Sequence, residues 1–214
     1  MDLRTECDEI GRLAIAHAPV AHREIFSALF ALDHRLSRIA AAAREPMLAQ
    51  MRLAWWRDRL KEDTSERPQG DPVLDAIARC WTGEEQALTS LVDGWEEALA
   101  GAPVGEGILA LGQGRGAAFA ATARLCGRRD YAPAVGRHGN LWAATTLIAQ
   151  NPDDETLATW QTNARPQLPR LPRNLRSIAI IGGLSRRVLL KGGGPILGDR
   201  LSPLAALRLG IFGH

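Results

Sequence analysis

The sequence "AREPMLAQMRLAWWRDRLKE" (residues 43–62) predicts one helix, and its apolar residues are distributed in an unusual way. Plotted at about 100° per residue, they form two arcs instead of one. The first arc contains Leu48, Met51 and Trp55, and the second contains Ala49, Leu53, Trp56 and Leu60. Arg52 and Arg59 fall between the arcs. The pattern therefore predicts an arginine within the buried face of this helix.

The preceding segment, "HREIFSALFALDHRLSRIAAAA" (residues 22–43), also carries one charge on its apolar side, Asp33. An unpaired buried charge is very unfavourable, whereas a hydrogen-bonded arginine–carboxylate pair is tolerated. We therefore predict a structural ion pair between Arg52 and either Asp33 or Glu45. The alternative is a polar cavity in which Arg52 meets an anionic head group.

Helical periodicity extends over nearly the whole chain, and no segment alternates with the period of a strand. Proline, glycine and capping residues separate the periodic segments. The predicted helices are residues 4–17, 22–43, 46–62, 72–81, 84–100, 105–126, 131–150, 154–163, 173–190 and 201–212. A proline-rich stretch, residues 164–174, is expected to be an extended connector. We predict an all-α helical bundle in which residues 1–214 form a single domain.

Composition narrows the classes of function. The net charge of the chain is only +2, and the basic residues are spread along the sequence. Both features argue against nucleic-acid binding. Cys7, Cys80 and Cys126 show no metal-ligand spacing and are expected to be reduced core residues in the cytoplasm. The N-terminal sequence "MDLRTECDEIGRLA" lacks the apolar region of a signal peptide. No run reaches the roughly 18 apolar residues of a transmembrane helix.

Three further segments have competing interpretations. "LGQGRGAAF" (residues 111–119) contains a GxGxG run, but no strand precedes it, so we predict close helix packing at Gly112 and Gly116 instead of dinucleotide binding. His138 is expected at an exposed helix start, with a phosphate contact as the alternative. Residues 184–212 combine basic and apolar residues, which is typical either of core packing or of contact with an anionic membrane surface.

The segment "SALFALDHRLSRIAAAAREPMLAQMRLAWWRDRL" (residues 27–60) resembles the squalene/phytoene synthase family. The likeness continues in "LVDGWEEAL" (91–99), "GQGRGAAFAATARLCG" (112–127), "GRHGNLWAATTLIA" (136–149) and "LPRNLRSIAIIGGLSRRVLLKGGG" (171–194). This resemblance implies an isoprenoid-synthase-like fold, shortened in this chain, with helices around a central apolar cavity that can hold prenyl chains.

The resemblance also implies where metal ligands would lie. In active members, two aspartate-rich motifs on facing helices hold the magnesium ions that neutralise the departing diphosphate. The first motif falls near Ser37 and Ala41 in this chain, and the second falls within residues 139–150, where Thr145 and Thr146 occur but no acid. A hydroxyl or a methyl group cannot replace a carboxylate on magnesium. We therefore predict no catalytic residue and no metal ligand.

The functional hypothesis is a non-catalytic isoprenoid-binding or assembly-factor protein, since the chain resembles a branch of the family that includes a mitochondrial complex I assembly factor. The alternative is an active head-to-head prenyltransferase with atypical metal ligands, and only that alternative requires magnesium. An isoprenoid or prenyl diphosphate and a partner protein are the expected ligands, with a cytoplasmic location peripheral to the inner membrane. The candidate cavity residues are Asp33, Ser37, Arg52, Trp55, Trp56 and Thr145.

Overall fold

A computed structural model describes residues 3–42, 45–100, 103–198 and 200–213. Within these ranges the chain forms ten α-helices and no strand, so the all-α prediction is confirmed. The helices are α1 Glu9–Ala16, α2 Arg23–Ala41, α3 Pro46–Lys61, α4 Pro72–Cys80, α5 Glu85–Leu99, α6 Val104–Leu125, α7 Ala132–Gln150, α8 Asp154–Ala164, α9 Arg176–Leu190 and α10 Ser202–Phe212.

Capping side chains set several of these boundaries. The carboxylates of Asp8, Asp71 and Asp153 accept hydrogen bonds from the first backbone N–H groups of α1, α4 and α8. The cap at Asp8 also explains a difference from the predicted helix 4–17. Because Asp8 is extended, that segment divides into a short 3-10 turn, Leu3–Glu6, and α1.

Helices α5, α6 and α7 pack closely because glycines remove side chains from their contacts. A Cβ atom placed on Gly112 would lie 2.7 Å from the Asn140 Oδ1 atom, and one on Gly116 would lie 3.3 Å from the Gly136 backbone. The predicted role of Gly112 and Gly116 in helix packing is confirmed. This close approach brings side chains of α6 and α7 into the centre of the bundle.

The buried residues form one connected core, which extends along the chain from Cys7 to Ala206. Helix α2 crosses its middle and contacts α4 and α5, while α9 packs on α7, α1 and α10. The ring of Phe119 stacks on that of Trp142 with 5.8 Å between ring centres, and Phe30 meets Trp142 edge-on. Aromatic side chains thus pack around Trp142 in the core.

Helix α3 lies at the edge of the bundle, where it packs on α5 and α2. The arc of Ala49, Leu53, Trp56 and Leu60 is buried, whereas Leu48, Met51, Trp55 and also Met47 are exposed. Arg52 is exposed as well, so its predicted burial is wrong. Periodicity located Arg52 between two apolar arcs, but only one arc has a neighbouring helix.

Helix α10 packs on α9 and leaves much of its apolar surface uncovered. Its exposed apolar side chains are Leu204, Leu207, Ile211 and Phe212, and Leu201 precedes them. None of the described helices combines the length and the apolar character that crossing a bilayer requires.

Candidate functional site

A buried ion pair lies at the centre of the bundle, between the carboxylate of Asp33 on α2 and the guanidinium of Arg115 on α6. Arg115 donates from Nε to Asp33 Oδ1 at 3.0 Å and from Nη2 to Asp33 Oδ2 at 2.8 Å. The indole Nε1 of Trp95 donates to the same Oδ1 at 3.0 Å. Asp33 and Arg115 are only 4% and 2% exposed. Both carboxylate oxygens therefore have donors.

Arg115 also contacts two side chains of α7. Its Nη1 donates to the Oγ1 atom of Thr146 at 2.8 Å. Its guanidinium carbon lies 3.6 Å from the centre of the Trp142 ring, which is a close cation–π contact. We refer to Asp33, Trp95, Arg115, Trp142 and Thr146 as the Asp33 centre. It joins α2, α5, α6 and α7 through one satisfied polar network.

The burial of Asp33 was correctly predicted, but its partner was not. The structure pairs Asp33 with Arg115 instead of Arg52. A signal for Arg115 was present in the sequence, because the segment around it, "LGQGRGAAFAATA", is nearly apolar on every side. An arginine in the middle of such a helix must be buried and requires a carboxylate.

Next to the Asp33 centre lies a cavity of about 310 Å³, which we call the bundle cavity. Its lining residues are Ala40, Trp95, Ala98, Leu99, Val104, Gly107, Leu147, Gln150 and Asn151. Among these described residues there is no acid and no base, and only Gln150 and Asn151 carry polar amides. Such a lining suits an apolar chain, but it offers no charge to balance a diphosphate.

The residues present do not fit magnesium. Ser37 and Ala41, at the positions that the resemblance assigns to the first motif, carry no carboxylate. Asp33, one turn earlier, is bonded to Arg115 at both oxygens, and the positive guanidinium opposes a second cation there. Across the described residues, no group of three or more histidine, cysteine or acidic side chains is gathered for a metal ion.

The structure does not bring the six candidate residues together in one cavity, and none of them lines the bundle cavity. Ser37 is half-buried and donates to the His34 carbonyl, while Thr145 is buried and donates to the Leu141 carbonyl. Trp56 packs in the core beneath the guanidinium of Arg35. Arg52 and Trp55 lie on the exposed side of α3.

His138 on α7 is a buried residue that sequence reasoning placed wrongly. It is 1% exposed, and Gly182 on α9 leaves the space for its ring. Burial, with a smaller contribution from the neighbouring charge of Arg137, lowers the pKa of His138 to about 4. The imidazole is therefore neutral at pH 7. The prediction failed because His138 follows a basic residue near the start of α7, where exposure is usual.

The fold and the site define an all-α helical bundle with an apolar cavity beside a buried ion pair. The chain belongs to the squalene/phytoene synthase family, whose model matches residues 8–128. The fold is consistent with the isoprenoid-synthase type, and the family indicates prenyl diphosphates as its ligands.

The matched region contains α1 to α6 and ends just after α6. The likeness noted in segments 136–149 and 171–194 therefore stays a prediction. Comparisons with curated proteins and with solved structures give no match.

Proposed function

We propose that this protein is a non-catalytic member of the squalene/phytoene synthase family, which holds an uncharged isoprenoid chain in the bundle cavity. One observation carries the proposal: Asp33 lies one helical turn before the expected first metal motif, and Arg115 binds both of its oxygens. Removing Asp33 from that pair to bind magnesium would leave a buried arginine without a partner, which is strongly unfavourable.

The lining of the bundle cavity supports the choice of ligand. Ala98, Leu99, Val104 and Leu147 offer apolar surface from three helices. Each methylene of a chain transferred from water to such surface contributes about 0.8 kcal/mol of binding free energy. The amides of Gln150 and Asn151 can hydrogen-bond a hydroxyl or carbonyl at the end of the chain, which favours a prenol or a quinone head group over a diphosphate.

Two experiments test this function. Lipid extraction and native mass spectrometry of the purified protein should reveal a co-purifying neutral isoprenoid. Incubation with magnesium and farnesyl or geranylgeranyl diphosphate should yield no squalene or phytoene, because the cavity provides no metal ligands. Turnover that Asp33→Asn abolishes would contradict the proposal and favour the alternative, an active prenyltransferase with atypical metal ligands.

A matched pair of variants links the bound lipid to the cavity. Ala98→Phe, on the cavity side of α5, should displace the isoprenoid, since the ring would occupy part of about 310 Å³. Ala100→Phe, which is exposed at the end of the same helix, should leave the isoprenoid bound. Equal retention of lipid in both variants would show that the lipid binds elsewhere.

A second candidate function, assembly factor, is favoured by the exposed arc of α3. Met47 and Met51 are 72% and 64% exposed, and Leu48 and Trp55 continue the same surface. Methionine, tryptophan and arginine are enriched at protein interfaces, and three turns of helix fit the apolar face of a partner helix. Arg52 makes no ion pair within the described ranges, so we propose a partner helix with an acidic residue opposite it.

Cross-linking from the α3 surface tests this candidate. A photoreactive residue at Met51 should capture a partner protein whose cross-linked peptide is an amphipathic helix with an acid near its apolar face. Arg52→Glu should reduce capture, while the charge reversal Arg129→Glu, remote from α3, should not. Capture of a second copy of this chain would instead indicate a homodimer and contradict the proposal of a partner protein.

We further propose contact of residues 184–212 with an anionic membrane surface, consistent with a cytoplasmic position peripheral to the inner membrane. The exposed leucines of α10 support this contact, as do the exposed basic residues Lys191, Arg200 and Arg208. Apolar residues can enter the interfacial region while basic side chains remain at the head groups.

A further inference from the structure

A second cavity, of about 420 Å³, lies between α7, α9 and α10 and shares no lining residue with the bundle cavity. We call it the α9–α10 cleft. Its lining divides into two kinds of surface. Leu168, Leu190, Ala205 and Leu209 supply apolar side chains, whereas Arg186, Arg187, Lys191 and Arg208 supply positive charge.

Among the described residues that line the α9–α10 cleft, four have basic side chains and none is acidic. Arg186 is held in place by hydrogen bonds to the carbonyls of Ala164 and Arg165 at 2.8 and 2.9 Å. These carbonyls do not cancel its formal charge. A positive field over an apolar surface attracts an anion that is attached to a hydrocarbon chain.

A buried polar group in the wall of the cleft also indicates a ligand. His138 lines the cleft, and neither of its ring nitrogens has a hydrogen-bond partner within the described part of the chain. The Ile178 backbone lies near the ring without the geometry of a hydrogen bond. Buried polar atoms normally have partners, so an unpartnered imidazole beside a cavity indicates a group that binds there.

We propose that the α9–α10 cleft binds an anionic single-chain amphiphile, with a phosphate head group among the arginines and the chain along Leu168, Leu190 and Leu209. Arginine suits this role because its planar guanidinium can bind phosphate oxygens in pairs. The neutral imidazole of His138 can donate a hydrogen bond to a phosphate or ester oxygen. The volume falls within the usual range for small-molecule sites, about 300–1,000 Å³. This site does not depend on whether the bundle cavity binds an isoprenoid.

The test measures binding of three probes by isothermal titration, below the concentration at which micelles form. Dodecyl phosphate combines the charge with a chain, inorganic phosphate has the charge alone, and dodecyl maltoside has the chain with an uncharged head. We expect dodecyl phosphate to bind at least about tenfold more tightly than either of the others. Equal affinity for inorganic phosphate, equal affinity for the maltoside, or no binding of dodecyl phosphate would each overturn the proposal.

Matched variants place the probe in the cleft. Ala205→Trp, which fills the cleft from α10, should abolish binding of dodecyl phosphate, while Leu207→Trp, exposed on the same helix, should not. Arg208→Glu should weaken binding by about tenfold or more, and Arg129→Glu, at a remote exposed arginine, should leave it unchanged.

Thermal melts check that each variant is folded. Because Arg208 is exposed, its variant keeps the test valid even if Ala205→Trp disturbs packing. Unchanged affinity in folded Ala205→Trp, or in Arg208→Glu, would show that the amphiphile binds outside the cleft. If the wild type carries no isoprenoid but binds dodecyl phosphate as expected, only the proposed function is contradicted.

Discussion

Replacement of Arg115 by methionine is the sharpest test of the Asp33 centre. Methionine is also unbranched, but it cannot donate the two hydrogen bonds that Arg115 gives to the Asp33 carboxylate. Among its described contacts, the carboxylate then keeps only the Trp95 donor. Breaking a buried ion pair from one side lowers the free energy of unfolding by about 3–5 kcal/mol, since the other charge is stranded. At this chain length that loss corresponds to a fall in Tm of about 6–20 °C.

A double-mutant cycle separates the interaction energy of the Asp33–Arg115 pair from the energy lost through poorer packing. Asp33→Asn strands the guanidinium of Arg115 and should destabilise to a similar extent. The double variant, Asp33→Asn with Arg115→Met, buries no charge in the centre and should recover at least about 2 kcal/mol of the summed losses. Arg52→Met is the matched control, because Arg52 is exposed, and it should change stability by no more than about 0.5 kcal/mol.

The assay is urea unfolding of the wild type, three single variants and the double variant, followed by circular dichroism. A coupling energy below about 0.5 kcal/mol between positions 33 and 115 would refute the reasoning, since the stability changes caused by mutating two contacting residues should not add. A large destabilisation by Arg52→Met would instead support the pair that periodicity alone suggested.

Three further predictions concern other parts of the molecule. Because the pKa of His138 falls from its ordinary value of 6.5 to about 4 on folding, the unfolded chain binds the proton first as pH is lowered. The stability that the neutral His138 contributes should therefore be complete well above pH 6.5 and should decline by about 1.2 kcal/mol between pH 6 and 5. His138→Gln should remove this decline in urea titrations at each pH. Gly139→Val should prevent close packing of α6 and α7, since a Cβ there would lie 2.6 Å from the Gly116 nitrogen; unfolding at or above the wild-type Tm would contradict this. If α10 touches membrane, the double change Leu204→Asp and Leu207→Asp should abolish co-sedimentation with phosphatidylserine vesicles, and wild-type binding should weaken with salt. Absence of wild-type binding at every salt concentration would rule that contact out.

The helices could be predicted closely because their signals are local. The proline at the first position of α3 and the aspartate caps of α4 and α8 act within one turn, so they mark boundaries without knowledge of the fold. The candidate site was harder to predict from the sequence. Its six predicted residues were selected for lying on apolar helix faces or at family positions, and the structure spreads them over the core, the interior of α7 and the exposed side of α3.

By itself the sequence determined the fold class, most helix boundaries and the burial of Asp33, because periodicity within one helix reports which residues share a face. It could not determine what that face meets. Arg115 lies 82 residues from Asp33, and only the packing of α6 against α2 and α7 brings the two charges together. The same limit applies to α3, where two apolar arcs are equivalent in sequence until a neighbouring helix covers one of them. Tertiary packing made Arg52 exposed, buried His138 and selected the partner of Asp33.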